Sequence, residues 1–271
     1  MIARIATGVI LAPLLTWLLL SAPLVGVVAV VSLAVAQSVR ELLGMFTEVG
    51  AHLRRLACLF AFTLCWSPLW PGSLSLAIIG AGASVLLGFC LRRPDDLARQ
   101  ARIGAFAVLA LGYVGAMGAA LSAIAALPGE SPIARSAGQA ALLGHFLVVF
   151  LGDTGAYFAG RLAGRHKLYP AVSPKKTVQG GIGGLVAGAI GLPIYCAYAL
   201  PEIPWHFALA AAVGLGVVAQ IGDFAESMFK RATDTKDSGT LLPGHGGMFD
   251  RLDGVLFAAP WTLLLLTLAR T

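Results

Sequence analysis

Between Ile5 and Val39 the chain has no Asp, Glu, Lys or Arg, and between Leu56 and Leu91 it again has none. A bilayer core about 30 Å thick is crossed by about 20 apolar residues in a helix. Each run is therefore too long for one crossing. Charged residues make up 12% of the chain and apolar ones 58%, against about 25% and 45–50% in soluble domains. This composition excludes an ordinary soluble fold and excludes disorder.

The first run breaks at Ser21-Ala22-Pro23, and the second between Ser67 and Ser73, where Pro68, Pro71 and Gly72 interrupt the apolar pattern. Each run thus reads as two spans. Arg4 ahead of an apolar stretch also opens like a signal peptide, but a second apolar run follows at once and no A-x-A site is evident, so the segment is read as retained. Further spans are expected over Ile103–Leu127, Ala137–Ala163, Thr177–Leu200, Ile203–Gly222 and Gly254–Ala269. The predicted class is an all-α polytopic integral membrane protein of about nine transmembrane helices. It divides into residues 1–136, with about five spans, and residues 137–271, the C-terminal catalytic transmembrane region with its cytoplasmic loops.

The cations test that count. With nine spans, all but Arg135 and Arg270 of the 19 Lys and Arg fall on one side. Positive loops stay in the cytoplasm, so the N-terminus is expected there too. The net charge of +6 then reflects topology rather than nucleic-acid binding. Cys58, Cys65, Cys90 and Cys196 all lie in apolar runs without metal-ligand spacing and read as packing. The arginines after spans two and four read as topogenic, with no chemistry assigned.

Four stretches of the last 120 or so residues concentrate the polar chemistry. Asp153 lies inside an apolar helix, where a carboxylate is costly and faces either a cavity or a partner. It shares a face with Tyr157, Gly160 and Gly164, so a packing seam with an internal hydrogen bond is the competing reading. Ser173-Pro174-Lys175-Lys176-Thr177 precedes a Gly-rich helix start. Such a terminus binds phosphate, or else merely flanks a span with positive charge. Asp223, Glu226, Ser227 and Lys230 fall at i, i+3, i+4 and i+7, forming one stripe at the membrane end of span eight. Carboxylates there suit a hard cation such as Mg²⁺, and the cations beyond them suit phosphate. Last come Lys236-Asp237-Ser238-Gly239 and the segment Pro243 to Gly254, where glycines surround His245 and where Asp250 and Asp253 open span nine.

Ser227-x-Phe-Lys230-Arg231, then Lys236-Asp237-x-Gly, then Leu242-Pro243-x-His245-Gly246-Gly247-Met-x-Asp250-Arg251-Leu-Asp253 resembles the signature of the phosphatidate cytidylyltransferase (CDP-diacylglycerol synthase) family. The segments around Asp153 and Ser173–Gly180 resemble the same family, with Gln179 where many members carry Glu.

The resemblance implies that CTP and phosphatidic acid give CDP-diacylglycerol and pyrophosphate with Mg²⁺, one ion or two, the identity of a second being open. It implies metal ligation by Asp223 and Asp250, with Asp253, Asp237 and Glu226 as further ligands. Lys230, Arg231, Lys236 and Arg251 would neutralise the triphosphate. Ser173, Lys175, Lys176, Thr177 and Ser227 would hold phosphate. Gly246 and Gly247 would approach the nucleotide beside His245, a phosphate donor, and Asp153 would support the site. The partners are CTP, phosphatidic acid and membrane lipids, with no nucleic acid; a homodimer is left open. The expected location is the bacterial cytoplasmic (inner) membrane, with the site facing the cytoplasm. The rival readings are a CTP-dependent polyprenol or dolichol-type lipid kinase and a non-enzymatic transporter.

Overall fold

A computed structural model describes residues 2–70, 72, 74–92, 96–241 and 246–269, with side chains from residue 12 onward. Among the described residues the fold is α-helical with one small hairpin. The first long apolar run folds as α1 (Ile2–Ser21) and α2 (Leu24–Met45), broken where Pro23 sets the entry to α2 at φ −64°. The second gives α3 (Ala51–Trp66), a 3₁₀ turn at Ser67–Leu69, and α4 (Leu74–Cys90). α5 (Leu97–Ala110) begins where the Asp96 side chain accepts the Arg99 N–H at 2.9 Å. It passes through a π turn at Leu111–Gly115 directly into α6 (Ala116–Ala125). α7 (Ala137–Ala163) is capped by Ser136 in the same way.

Among the described residues, six helical segments are long and apolar enough to cross a membrane: α2, the continuous α5–α6 rod, α7, α8 (Val178–Ala199), α9 (Trp205–Ala232) and α10 (Phe249–Leu268). α1, α3 and α4 form helices where the other three spans were expected. Between α7 and α8, where only a basic loop was expected, the chain makes an antiparallel hairpin. It pairs β1 (Lys167–Tyr169) with β2 (Ser173–Thr177), Lys167 opposite Thr177 and Tyr169 opposite Ser173. Strands this short carry no periodicity that a sequence could show.

α8 displays the arrangement that a lipid solvent demands. Ile182, Val186, Ile190, Ile194 and Tyr198 form an exposed stripe at four-residue spacing, while Gly180, Gly184, Gly188, Leu192 and Cys196 face inward. Large apolar residues outside and small ones inside reverse the soluble pattern. Lipid gives no hydrophobic gain for burying Ile, so close backbone packing decides the interface. The α7–α8 contact is the result: a Cβ on Gly155 would meet Ala187 Cβ at 2.6 Å and the Gly183 carbonyl at 2.7 Å, and one on Gly184 would meet the Gly152 carbonyl at 2.7 Å. α7 is tied to α10 by buried His145, whose ring nitrogens contact Thr262 Oγ1 at 2.8 Å and the Val255 carbonyl at 2.9 Å.

Gly155→Val therefore forces α7 and α8 apart. The expected loss is about 1–3 kcal/mol, the usual cost of overpacking, read as a lower melting temperature in detergent. Gly214→Ala, where a Cβ meets nothing within 4 Å, leaves the melting temperature unchanged or raises it.

Candidate active site

The carboxylates come together because two helices touch. A Cβ on Gly222 of α9 would meet Phe257 Cβ at 2.5 Å and the Asp253 carbonyl at 2.9 Å, and one on Gly254 of α10 would lie 3.1 Å from the Ala219 carbonyl. The chain neighbours of these glycines, Asp223 and Asp253, thus face each other across the narrowest part of the α9–α10 contact. Glu226 follows one turn along α9. Carboxylate oxygens of Asp223, Glu226 and Asp253 all lie within 4.8 Å of one another. Asp153 of α7 is within electrostatic reach of Asp223 and Asp253.

So many negative charges require compensation. Lys176 of β2 reaches Asp223 at 2.5 Å, and Lys230 reaches Glu226 at 2.6 Å. Glu226 is only 2% exposed, yet among the described residues its Oε1 has no hydrogen-bond partner. Hard oxygen donors with an unpaired buried carboxylate oxygen fit an ion such as Mg²⁺. Asp223 also accepts from Ser227 Oγ at 3.4 Å.

Asp250 lies beside this trio. Its Oδ1 accepts Lys230 Nζ at 2.9 Å. Its Oδ2 accepts Ser238 N and Ser238 Oγ at 2.9 Å each, and Gly247 N at 2.7 Å. Both oxygens are engaged, tying Ser238 and Gly247 to the start of α10 and holding Lys230 against Glu226. Gly246 makes the close turn possible: its φ of +79° is the left-handed region, and a Cβ there would meet Asp250 Oδ2 at 2.6 Å.

The sequence reading missed Glu41. This buried residue of α2 accepts Phe249 N at 2.8 Å and Ser238 Oγ at 3.2 Å, and Gln37 Nε2 steadies its other oxygen at 2.7 Å. A chain of contacts therefore runs Glu41–Ser238–Asp250–Lys230–Glu226, from the N-terminal half into the acidic cluster. The available signal was an acid with a Gln four residues earlier, inside an apolar helix.

The hairpin closes the site from the other side. Beyond the Lys176–Asp223 pair, Lys176 lies over the Phe224 ring at 4.5 Å, Tyr169 packs edge-on to Phe224 at 5.9 Å, and Arg231 Nε donates to the Val172 carbonyl at 3.3 Å. Thr177 accepts Gly180 N at 3.1 Å as the cap of α8. Gln179 Oε1 accepts the Arg165 and His166 N–H groups at 3.0 and 3.2 Å, so this residue fixes the hairpin entry as a neutral amide. Lys175, Lys236, Asp237 and Arg251 are exposed around the cluster, and Ser173 is half-buried. Arg161 donates to Tyr157 at 3.1 Å, one turn from accessible Asp153. His245 lies outside the described residues.

The sequence profile of the cytidylyltransferase family matches residues 2–269, and the chain belongs to that family. It is similar to proteins named phosphatidate cytidylyltransferase from three bacteria. Identity is 46% over 132 residues with that of Staphylococcus saprophyticus (49% of this chain, 51% of the relative). It is 44% over 122 residues with that of Bacillus subtilis (45% of each), and 44% over 133 residues with that of Staphylococcus aureus (49% and 51%). The matched stretch spans about half the length of these relatives.

Two substitutions separate structural from superficial charge. Glu41→Ala leaves the buried Phe249 N–H without an acceptor and is expected to cost about 1–3 kcal/mol. Glu48→Ala, which removes an exposed pair with Arg102 at 3.8 Å, costs at most about 1 kcal/mol. Chemical denaturation of the detergent-solubilised chain measures both. Lys230→Ala strands Glu226 and Asp250 and is expected to cost about 3–5 kcal/mol; adding Glu226→Gln recovers part of the loss.

Proposed function

We propose that the chain transfers the cytidylyl group of CTP to phosphatidic acid, giving CDP-diacylglycerol and pyrophosphate. The observation that carries this reading is the Asp223–Glu226–Asp253 cluster, flanked by Lys176 and Lys230 at the end of α9. Acids to hold a cation and lysines to receive phosphate oxygens, both at a membrane helix end, suit an anionic nucleotide and an anionic lipid. Family membership and the names of the relatives support the same assignment.

A phosphate monoester has a second pKa of about 6, so the lipid phosphate is ionised at neutral pH and needs no strong base. Its oxygen attacks the α-phosphorus of CTP; the new P–O bond forms as the bond to the β-phosphate oxygen breaks, and pyrophosphate leaves. The remaining difficulty is to bring two polyanions together, and positioning and charge neutralisation answer it. In this reading Asp223, Glu226 and Asp253 would hold Mg²⁺, which would supply positive charge against the phosphates. Lys176 and Lys230 trade part of their carboxylate contacts for phosphate oxygens. Lys175, Lys236, Arg231 and Arg251 draw the triphosphate in, and Ser173, Thr177 and Ser227 offer hydroxyl donors. Asp250 orients Lys230, and Asp237 and Asp153 add negative charge at the rim.

The topological reading goes with this assignment. α1, α3 and α4 cross the bilayer together with the six longer segments, placing the N-terminus and the basic loops in the cytoplasm, where CTP is available. The membrane is the bacterial inner membrane, and phosphatidic acid enters from its cytoplasmic leaflet. Residues 137–271 supply the groups named above and residues 1–136 brace them. The reading requires no second copy, since one chain provides every group.

The test is purified chain with phosphatidic acid, Mg²⁺ and CTP labelled at the α or the γ position. Label from the α position is expected in the lipid. Lipid labelled only from the γ position would instead identify a kinase, and no lipid product with any phosphatidate would refute the proposal. Asp223→Asn and Asp253→Asn are each expected to lower turnover by about 100-fold or more in folded protein.

A further inference from the structure

Among the described residues, two buried polar atoms at the acidic cluster have no hydrogen-bond partner: Glu226 Oε1 and the hydroxyl of Tyr113. Tyr113 belongs to the N-terminal half, on the π turn Leu111–Gly115 that joins α5 to α6. A π turn widens the helix locally at a cost to its hydrogen bonding and often marks a functional position. Here it delivers one ring between α9 and α10. The Tyr113 ring stands edge-on to Phe249 and Phe257, at centroid distances of 6.2 and 6.0 Å, and lies 6.0 Å from Phe229. Those phenylalanines adjoin the site in sequence: Phe229 precedes Lys230, Phe249 precedes Asp250, and Phe257 lies one turn after Asp253. The hydroxyl is within electrostatic reach of Glu226 and Asp253.

Packing alone does not account for this residue. Phenylalanine fills the same aromatic cage without burying an unpaired hydroxyl, a group that normally finds a partner when buried. The two unpaired atoms are also complementary, since a tyrosine hydroxyl donates and a carboxylate oxygen accepts. A single species between them satisfies both.

We propose that Tyr113 is a positioning residue of the acidic site, its hydroxyl donating to an oxygen, such as that of a water, bound to the cation that Asp223, Glu226 and Asp253 hold. This rests on the reading of that trio as a cation site. The N-terminal half then contributes to ion binding through Tyr113 and to loop geometry through Glu41. Partners that steady what surrounds a metal typically affect its affinity by 10–100-fold.

The experiment titrates Mn²⁺ into the full chain in detergent, without CTP or lipid, and follows free Mn²⁺ by electron paramagnetic resonance. Tyr113→Phe, which removes one oxygen and keeps the ring, is expected to weaken Mn²⁺ binding about tenfold. Its metal-free melting temperature should equal or exceed that of the unmodified chain, because an unpaired buried hydroxyl has gone, while the rise on adding Mn²⁺ shrinks. Asp223→Asn and Asp253→Asn separate the two ideas. If neither alters Mn²⁺ binding, the cation-site reading itself fails. If both weaken it and Tyr113→Phe binds Mn²⁺ as tightly as the unmodified chain, Tyr113 only packs and the proposal is overturned. In the double variant with Glu226→Gln, the loss from Tyr113→Phe should diminish, whereas fully additive losses would refute a shared partner.

Discussion

The site depends on one ammonium group held between two helices. Lys230 Nζ lies 2.6 Å from Glu226 and 2.9 Å from Asp250, so a single cation on α9 neutralises an acid on its own helix and one at the start of α10. Without it, two half-buried or buried carboxylates would repel across the helix contact. With it, Asp250 becomes a fixed point that receives the Ser238 and Gly247 N–H groups. Asp223, Glu226 and Asp253 still converge within 4.8 Å of one another, so in the proposed reaction a cation there would offset their charge and take up the buried Glu226 Oε1.

The membrane sets how such a cluster can be built. Lipid provides little drive to bury large side chains, and the packing instead uses glycine and alanine at the seams of α7, α8, α9 and α10. Those seams bring backbones close, which carries the residues next to the glycines close as well. Asp223 beside Gly222 and Asp253 beside Gly254 are the consequence. The glycine richness of the C-terminal half is therefore part of the site: a larger residue at Gly222 would separate the two acids as well as the two helices.

The sequence showed much of this. Uncharged runs marked the helices, and Ser21-Ala22-Pro23 marked the first break correctly. The i, i+3, i+4, i+7 stripe from Asp223 to Lys230 was readable because helical periodicity is local and α9 continues unbroken through it. What was not readable depends on contacts distant in the chain. Asp250 and Asp253 look equivalent at i, i+3, yet Ser238 and Gly247 donate to the first of them. Glu41 and Tyr113 stand isolated in apolar segments, and nothing near them in sequence indicates that their partners lie more than 100 residues away. The hairpin escaped because its two short strands pair by geometry that no repeating pattern records.

The length of α9 explains why the chemistry collects where it does. Its 28 residues extend about 42 Å at 1.5 Å per residue, beyond a hydrocarbon core about 30 Å thick. In the proposed topology the surplus lies at the C-terminal end, where Asp223 to Arg231 leave the apolar stretch. A carboxylate deep in lipid would be prohibitively costly, and one fully in water would bind a cation weakly. The end of α9 lies between these limits. The hairpin shields it through Lys176 and Tyr169, the signature loop through Asp250, and the N-terminal half through Glu41 and Tyr113. In the proposed reaction a soluble nucleotide and a membrane lipid share only this boundary. A site that joins them would have to sit at a protruding helix end, with the rest of the fold holding that end partly dry.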